Sequence, residues 1–319
     1  MKILVTGGSG FIGSHLCEKL LGKQETVFNL DNFCDFYSPE IKRRNIEPVL
    51  ENSNYKLLEG DICDEEYLDE IFSKHEFDMV IHLAAMAGVR PSIENPQLYT
   101  KVNINGTMNL LEKCRKYSVK KFIFASSSSV YGNNTKIPFS ESDRVDFPVS
   151  PYAATKKAGE LLCHSYYHLY GISVACLRFF TVIGPRQRPD LALHKFARKI
   201  VNNKPIQIYG DGTSKRDYTY IDDIIDGVLK AIEFVLLNKQ YEIFNLGESK
   251  RIDLSHFIRT LEKELQKTAI KEWLPMQPGD VFLTYADISK SRKVLDYEPR
   301  YTFELGVKKF VEWFKKNSI

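Results

Sequence analysis

Residues 1–16 read MKILVTGGSGFIGSHL. A short strand-like run from Lys2 to Thr6 is followed at once by Gly7, Gly8, Gly10 and Gly13, and behind them Phe11, Ile12, Leu16, Leu20 and Leu21 recur at helical spacing. The pattern is strand, glycine turn, helix. Glycines in such a turn let the backbone bend tightly and approach a pyrophosphate, while the free N–H groups and positive end of the helix attract the anion. The next strand, TVFNLD, closes on Asp31, whose carboxylate can accept from both hydroxyls of an adenosine ribose and repels a 2'-phosphate. The stretch predicts a dinucleotide site that takes NAD rather than NADP.

Past Asp31 the alternation continues. YKLLEG precedes a helix near residues 64–75, DMVIHLAA precedes another near 95–117, and the strand KKFIFASSSS comes next. Such alternation predicts an α/β fold with a Rossmann-type doubly wound parallel sheet, whose ligands lie beyond the carboxyl ends of the strands. Asp61 and Ile62, Leu83 to Ala85, and Ser126 to Ser129 fall at those ends. After Arg178 the chain is broken into short elements by Pro185, Pro189, Pro205, Pro275, Pro278 and Pro299. The expected division is an NAD-binding domain over 1–180 and, over 181–319, mainly a smaller α/β substrate lobe.

Tyr152 and Lys156 stand four residues apart in SPYAATKKAGE, which on a helix puts both on one face. A lone Y-x-x-x-K is ordinarily a solvated helix face. Downstream of a dinucleotide turn it sets an ammonium beside a phenol and favours the phenolate, lowering the pKa of Tyr152 from roughly 10 toward that of a base near neutral pH.

Composition narrows the class. The chain has 319 residues, more than one typical core, and its 43% hydrophobic content is that of an ordinary globular protein. The six cysteines are dispersed without a C-x-x-C pair and read as buried thiols in a reducing compartment. There is no run of about eighteen apolar residues and no signal-like start, so the expectation is a soluble, untargeted, cytoplasmic protein without a membrane partner. With 44 basic and 41 acidic residues the net charge of +3 does not suggest a polyanion surface, and no nucleic acid is expected. In the tail KKFVEWFKKNSI, Phe310, Val311, Trp313 and Phe314 fit one side of a closing amphipathic helix packed on the core. The histidines lack metal-ligand spacing except His164 and His168, four residues apart, which read as a polar helix face, so no metal is expected. No G-x-S-x-G surrounds Ser127, which argues against acyl transfer.

TGGSGFIG, GDI at Gly60 to Ile62, HLAA at His82 to Ala85, SSSSVYG ending at Gly132, SPYAATK and RDYTYIDD from Arg216 occur in order. On these motifs the whole chain resembles the extended short-chain dehydrogenases/reductases that act as NAD-dependent nucleotide-sugar epimerases and dehydratases. It is most like the UDP-glucuronate 4-epimerases. The resemblance implies Ser127, Tyr152 and Lys156 as the catalytic set. It implies cofactor contacts at Gly7, Gly10, Phe11, Ile12, Gly13, Asp31, Asn32, Asp61, Ile62, Leu83, Ala84, Ala85, Asn103, Tyr152 and Lys156. It also implies that a segment near 218–246 returns to the first domain, and that the helices near 95–117 and 152–170 pair two copies into a homodimer.

Within that resemblance the serine run is informative. Similar dehydratases carry Asp-Glu where Ser128 and Ser129 stand, and similar decarboxylases carry Glu at Ser129, so oxidation and reduction remain. The implied reaction oxidises C4 of a UDP-sugar to a transient ketone and returns hydride to the opposite face. RFFTVIGPRQRPDLALHKF, from Arg178, resembles the segment of uronate epimerases in which Thr181 replaces the usual Asn. The implied substrate contacts are Arg90, Ser127, Ser128, Ser129, Thr181, Arg188, Arg216 and Asp280, with Gln277 standing where galactose-type epimerases often have Arg. The expected reaction is UDP-glucuronate to UDP-galacturonate. UDP-glucose or UDP-N-acetylglucosamine 4-epimerisation and a non-catalytic NAD-binding sensor stay open as alternatives.

Overall fold

A computed structural model describes residues 1–275 and 283–317. Apolar runs that can be buried on both faces of one sheet form β1 (Lys2–Thr6), β2 (Thr26–Asp31), β3 (Tyr55–Glu59), β4 (Met79–His82), β5 (Lys121–Ser127) and β6 (Ser173–Phe179). Between them run α1 (Phe11–Gly22), α2 (Pro39–Ile46), α3 (Glu65–His75), α4 (Val89–Glu94), α5 (Pro96–Thr100), α6 (Gly106–Lys116) and α7 (Pro151–Tyr170). The remaining chain supplies β7 (Thr181–Ile183), β8 (Ile206–Tyr209), β9 (Lys215–Arg216), β10 (Tyr218–Tyr220), β11 (Tyr241–Leu246), β12 (Ile252–Asp253) and β13 (Lys271–Leu274). Its helices are α8 (Ala192–Val201), α9 (Ile221–Leu237), α10 (Leu254–Leu265), α11 (Ser289–Leu295) and α12 (Phe303–Asn317).

The main sheet has the order β11-β6-β5-β4-β1-β2-β3, with every pairing parallel. This is the doubly wound Rossmann-type α/β sheet foreseen from the alternation. The chain winds outward through β2 and β3, then crosses back to lay β4 on the other side of β1, and a crevice opens at that reversal. Successive side chains go to opposite faces: Ile3 and Val5 join the core beneath α1 and α9, while Leu4 and Phe28 join the core beneath α3, α6 and α7.

Local chemistry sets the helix starts near the crevice. The Ser150 hydroxyl caps α7 by accepting from the Ala153 N–H at 3.1 Å, Pro151 occupies the first turn, and Gly171 ends the helix at φ 64°. The single helix expected near 95–117 is instead α5, a π-helical turn over Lys101–Asn105, and α6. The widened turn carries Asn103, whose amide is engaged outside the helix.

The remaining short strands pair in twos, β7 with β10, β8 with β13 and β9 with β12. A third apolar core lies around Phe257, Phe303 and Phe310. Phe310, Val311 and Phe314 of α12 are buried there, so the aromatic tail packs inward. From β10 the chain runs through α9 to β11, which pairs with β6 at the edge of the main sheet. All six cysteines are free thiols; Cys17, Cys114, Cys163 and Cys176 are buried, and Cys34 and Cys63 are partly so. No helix among the described residues is long and apolar enough to cross a membrane.

Candidate active site

A cavity of about 400 Å³ follows the carboxyl ends of the strands from the glycine turn to β7. At one end lie Gly7, Gly10, Phe11, Ile12 and Gly13. Gly7 has φ +71°, and a Cβ there would sit 2.8 Å from the Ala84 backbone nitrogen; a Cβ on Gly13 would meet the Gly7 carbonyl at 2.2 Å. These glycines bring the turn against the loop after β4 and against itself. Gly10 offers α1 no side-chain cap, so the first-turn N–H groups are left for an anion.

Asp31 ends β2 with one carboxylate oxygen accepting from the Ser9 N–H at 3.1 Å and the other from the Phe33 N–H at 2.9 Å. A carboxylate has lone pairs for about four donors, so two more, such as ribose hydroxyls, fit. Burial raises the pKa of Asp31; the charge of Lys42 and the two N–H donors oppose it. Lys42 is itself buried, donating to the Cys34 carbonyl at 2.8 Å and lying 5.1 Å over the Tyr37 ring. Asn32 donates to Asp61 at 2.9 Å, and Ile62, Leu83, Ala84 and Ala85 complete this wall. The turn, the uncapped helix and the acceptor at Asp31 fit a dinucleotide. His82, in contrast, is buried between the hydroxyls of Thr6 (2.8 Å) and Thr107 (2.9 Å) and tethers β4 to β1 and α6.

Ser127, Tyr152 and Lys156 line the middle of the cavity. Ser127 ends β5, and its hydroxyl accepts from the Ser129 N–H at 3.1 Å while donating to the Ser129 hydroxyl at 3.1 Å. Beneath it the Ser126 hydroxyl donates to Glu160 at 2.7 Å, and Glu160 forks onto Arg178 at 2.8 and 2.9 Å. Lys156 donates to the Ala125 carbonyl at 2.7 Å, and burial lowers its pKa to about 8. The pKa of Tyr152 is raised by burial, opposed by the Ser127 hydroxyl and then by the charge of Arg188. The four-residue spacing puts Lys156 on the neighbouring turn, and its ammonium, with one donor on the Ala125 carbonyl, has two more to offer.

Beyond Tyr152 lie Ser128, Ser129, Thr181 and Arg188, walled by Phe36, Tyr37, Met86 to Val89, and Phe179 to Val182. Arg188 forks onto Asp190 at 2.9 and 2.7 Å and packs over the Phe36 ring at 5.3 Å. Three residues foreseen at the site do not line the cavity. Asn103 stands behind it, bonded to the Met86 N–H (2.8 Å) and carbonyl (2.9 Å) and to Thr155 (3.0 Å), and so shapes the loop after β4. Arg90 lies 4.9 Å over the Tyr209 ring, and Arg216 donates to the Lys215 carbonyl at 3.0 Å. Asp280 and Gln277 lie outside the described residues. Cys34, Phe36, Tyr37 and Lys42 line the wall without having been foreseen; the aromatic pair after Asp31 was the one available signal.

A parallel sheet with a glycine turn at its reversal and a Ser–Tyr–Lys group along the same crevice defines an extended short-chain dehydrogenase/reductase. The chain belongs to the family described as GDP-mannose 4,6 dehydratase, which it matches over residues 4–310. It is 44% identical over 315 residues to a UDP-glucuronate 4-epimerase of Thermodesulfobacterium geofontis, covering 98% of this chain and 96% of that one. Among solved structures it resembles UDP-glucuronic acid 4-epimerase from Bacillus cereus in complex with UDP-glucuronic acid and NAD, at a TM-score of 0.92 and 40% identity over 99% of both chains. It also resembles UDP-glucose 4-epimerase with UDP-glucose from Thermotoga maritima, at a TM-score of 0.90 and 35% identity over 99% of both chains.

Proposed function

We propose that the protein is an NAD-dependent nucleotide-sugar 4-epimerase that interconverts UDP-glucuronate and UDP-galacturonate. One observation carries the choice of reaction: among the described residues no carboxylate lines the sugar end of the cavity, where Ser127, Ser128, Ser129 and Thr181 gather. The two lining carboxylates, Asp31 and Asp61, stand at the adenosine end. Among the described residues, elimination of water or carbon dioxide finds no acid–base carboxyl there, while a proton shuttle on one hydroxyl is provided for.

NAD, when bound, supplies a hydride acceptor and donor at C4 of the sugar. Gly7 to Gly13 and Asp31 would hold its pyrophosphate and adenosine ribose, and Lys156 would bind its other ribose. The Tyr152 oxygen takes the proton of the C4 hydroxyl and later returns it. The Ser127 hydroxyl, which lies within reach of the Tyr152 oxygen, would turn its one O–H from Ser129 to orient that hydroxyl. Ser128, Ser129 and Thr181 present short donors to the C5 carboxylate, with Arg188 beyond them. A carboxylate beta to a ketone loses carbon dioxide when the breaking bond aligns with the carbonyl orbitals. Holding it by several charge-assisted bonds, each about 1.5–3 kcal/mol, keeps that bond out of alignment.

The protein works as a homodimer in the cytoplasm. Leu161 and Leu169 on the outer face of α7 are 57% and 64% exposed, an apolar face that a second copy covers. Free cysteines throughout support a reducing compartment.

The test is incubation of purified protein, without added cofactor, with UDP-glucuronate, UDP-glucose and UDP-N-acetylglucosamine, resolving products by NMR. Conversion of UDP-glucuronate alone supports the uronate reading. The likeness to a UDP-glucose 4-epimerase motivates the second reading, and turnover of neutral sugars alone establishes it in place of the first.

A further inference from the structure

The loop that carries Arg188 is anchored on α1. Gly184 to Gln187 form a tight turn closed by the Gln187 N–H on the Gly184 carbonyl at 3.2 Å. Within it Arg186 has φ +63°, a left-handed conformation that disfavours any residue with a Cβ and persists only where surrounding contacts enforce it. Three consecutive side chains leave this turn in three directions. Arg186 reaches α1 and pairs with Glu18 at 2.6 Å. Gln187 is buried and donates to the Val182 carbonyl at 2.8 Å. Arg188 enters the cavity. The Arg186–Glu18 pair is 17% and 34% exposed, one Arg186 nitrogen is buried without a partner, and the guanidinium depends on Glu18 for its compensation. Glu18 does not line the cavity.

Arg188 has little freedom of its own. Its Nε and one Nη donate to Asp190, and its face rests on Phe36. The direction of the remaining nitrogen is therefore set by where the backbone of the turn places the whole group. We propose that Glu18, on the cofactor-side helix, is a positioning residue for the carboxylate end of the substrate: by pairing with Arg186 it holds the left-handed turn that aims Arg188 into the cavity. The inference rests on Arg188 reading the C5 carboxylate. It makes sugar recognition depend on an ion pair in which α1, whose first turn faces the cofactor, meets the second lobe.

The experiment measures binding of UDP, UDP-glucose and UDP-glucuronate to the NAD-loaded protein by calorimetry, with KM and kcat for UDP-glucuronate, in wild type, Glu18→Gln and the charge swap Glu18→Arg/Arg186→Glu. Loss of one well-aimed charge-assisted contact is expected to weaken UDP-glucuronate about tenfold in Glu18→Gln, with UDP and UDP-glucose unmoved. The change falls on KM rather than kcat, and the swap restores at least part of the preference. A wild type that binds UDP-glucuronate no better than UDP-glucose overturns the reading of Arg188 and the inference with it. A wild type that discriminates, beside a Glu18→Gln protein that discriminates equally well, overturns the role of Glu18 alone. Equal weakening of all three ligands, or a folded swap without recovery, shows a general structural pin and likewise overturns it.

Discussion

Burial raises the pKa of the Tyr152 phenol, and the Ser127 hydroxyl and the charge of Arg188 act against that rise, which favours the base role proposed for it. Removing the hydroxyl in Tyr152→Phe is expected to lower kcat by about 10²- to 10⁴-fold while the absorbance of retained cofactor is unchanged. Thr181→Ala takes away one donor from the uronate end. It should raise the fraction of decarboxylated pentose product, measured by NMR, and an unchanged product ratio counts against the clamping argument. The spacing of Tyr152 and Lys156 was legible in the chain because a helix repeats every 3.6 residues. The partner of the ammonium was not: the Ala125 carbonyl comes from a strand 31 residues away.

Elements carry the site through a few irreplaceable contacts. A methyl at Gly13 would lie 2.2 Å from the Gly7 carbonyl, and backbone cannot move aside. Gly13→Ala is expected to lose bound NAD on gel filtration and to melt at a lower temperature than wild type. Under the serine run, Glu160 joins β5, β6 and α7 through Ser126 and Arg178, both carboxylate and guanidinium being essentially inaccessible to water. Glu160→Ala strands a buried cation, with an expected loss of about 3–5 kcal/mol in the denaturant-derived stability. The strands and the glycine turn were readable because their patterns are local. The π-helical turn at Lys101–Asn105 was not, since it follows from Asn103 serving the loop at Met86 rather than from any periodicity of its own.

At the scale of the molecule, segments far apart in the chain meet at Asp217, a buried carboxylate that accepts from the backbone N–H groups of Glu248, Ser249 and Ala286. Burial pushes its pKa up to about 7 despite those donors, with the nearby charge of Glu248 adding to the rise. A carboxyl whose folded pKa is raised contributes stability that is present below its unfolded pKa and lost as pH rises through the folded value. The advantage in Tm of wild type over Asp217→Asn is therefore expected to be greatest at or below about pH 4 and to shrink until about pH 7. An advantage that grows with pH sinks this account. Association is tested by light scattering. Wild type is expected at the mass of two chains and Leu161→Glu/Leu169→Glu at the mass of one, because a charge buried in an apolar interface without a partner is costly.

Ser127 was marked by the family resemblance; the chain by itself determined the parallel sheet, the dinucleotide turn, Asp31 at the end of β2 and the shared helix face of Tyr152 and Lys156. Each rests on residues close in sequence whose spacing dictates a strand, a turn or one face of a helix. Tertiary structure alone decided how charges are shared. Lys156 answers Ala125, Arg188 is held by Asp190 and Phe36, and Arg186 meets Glu18 across 168 residues of chain. The fall-off of electrostatic interaction with distance makes these pairings depend on which atoms packing brings within a few ångströms, and no periodicity of the sequence encodes that.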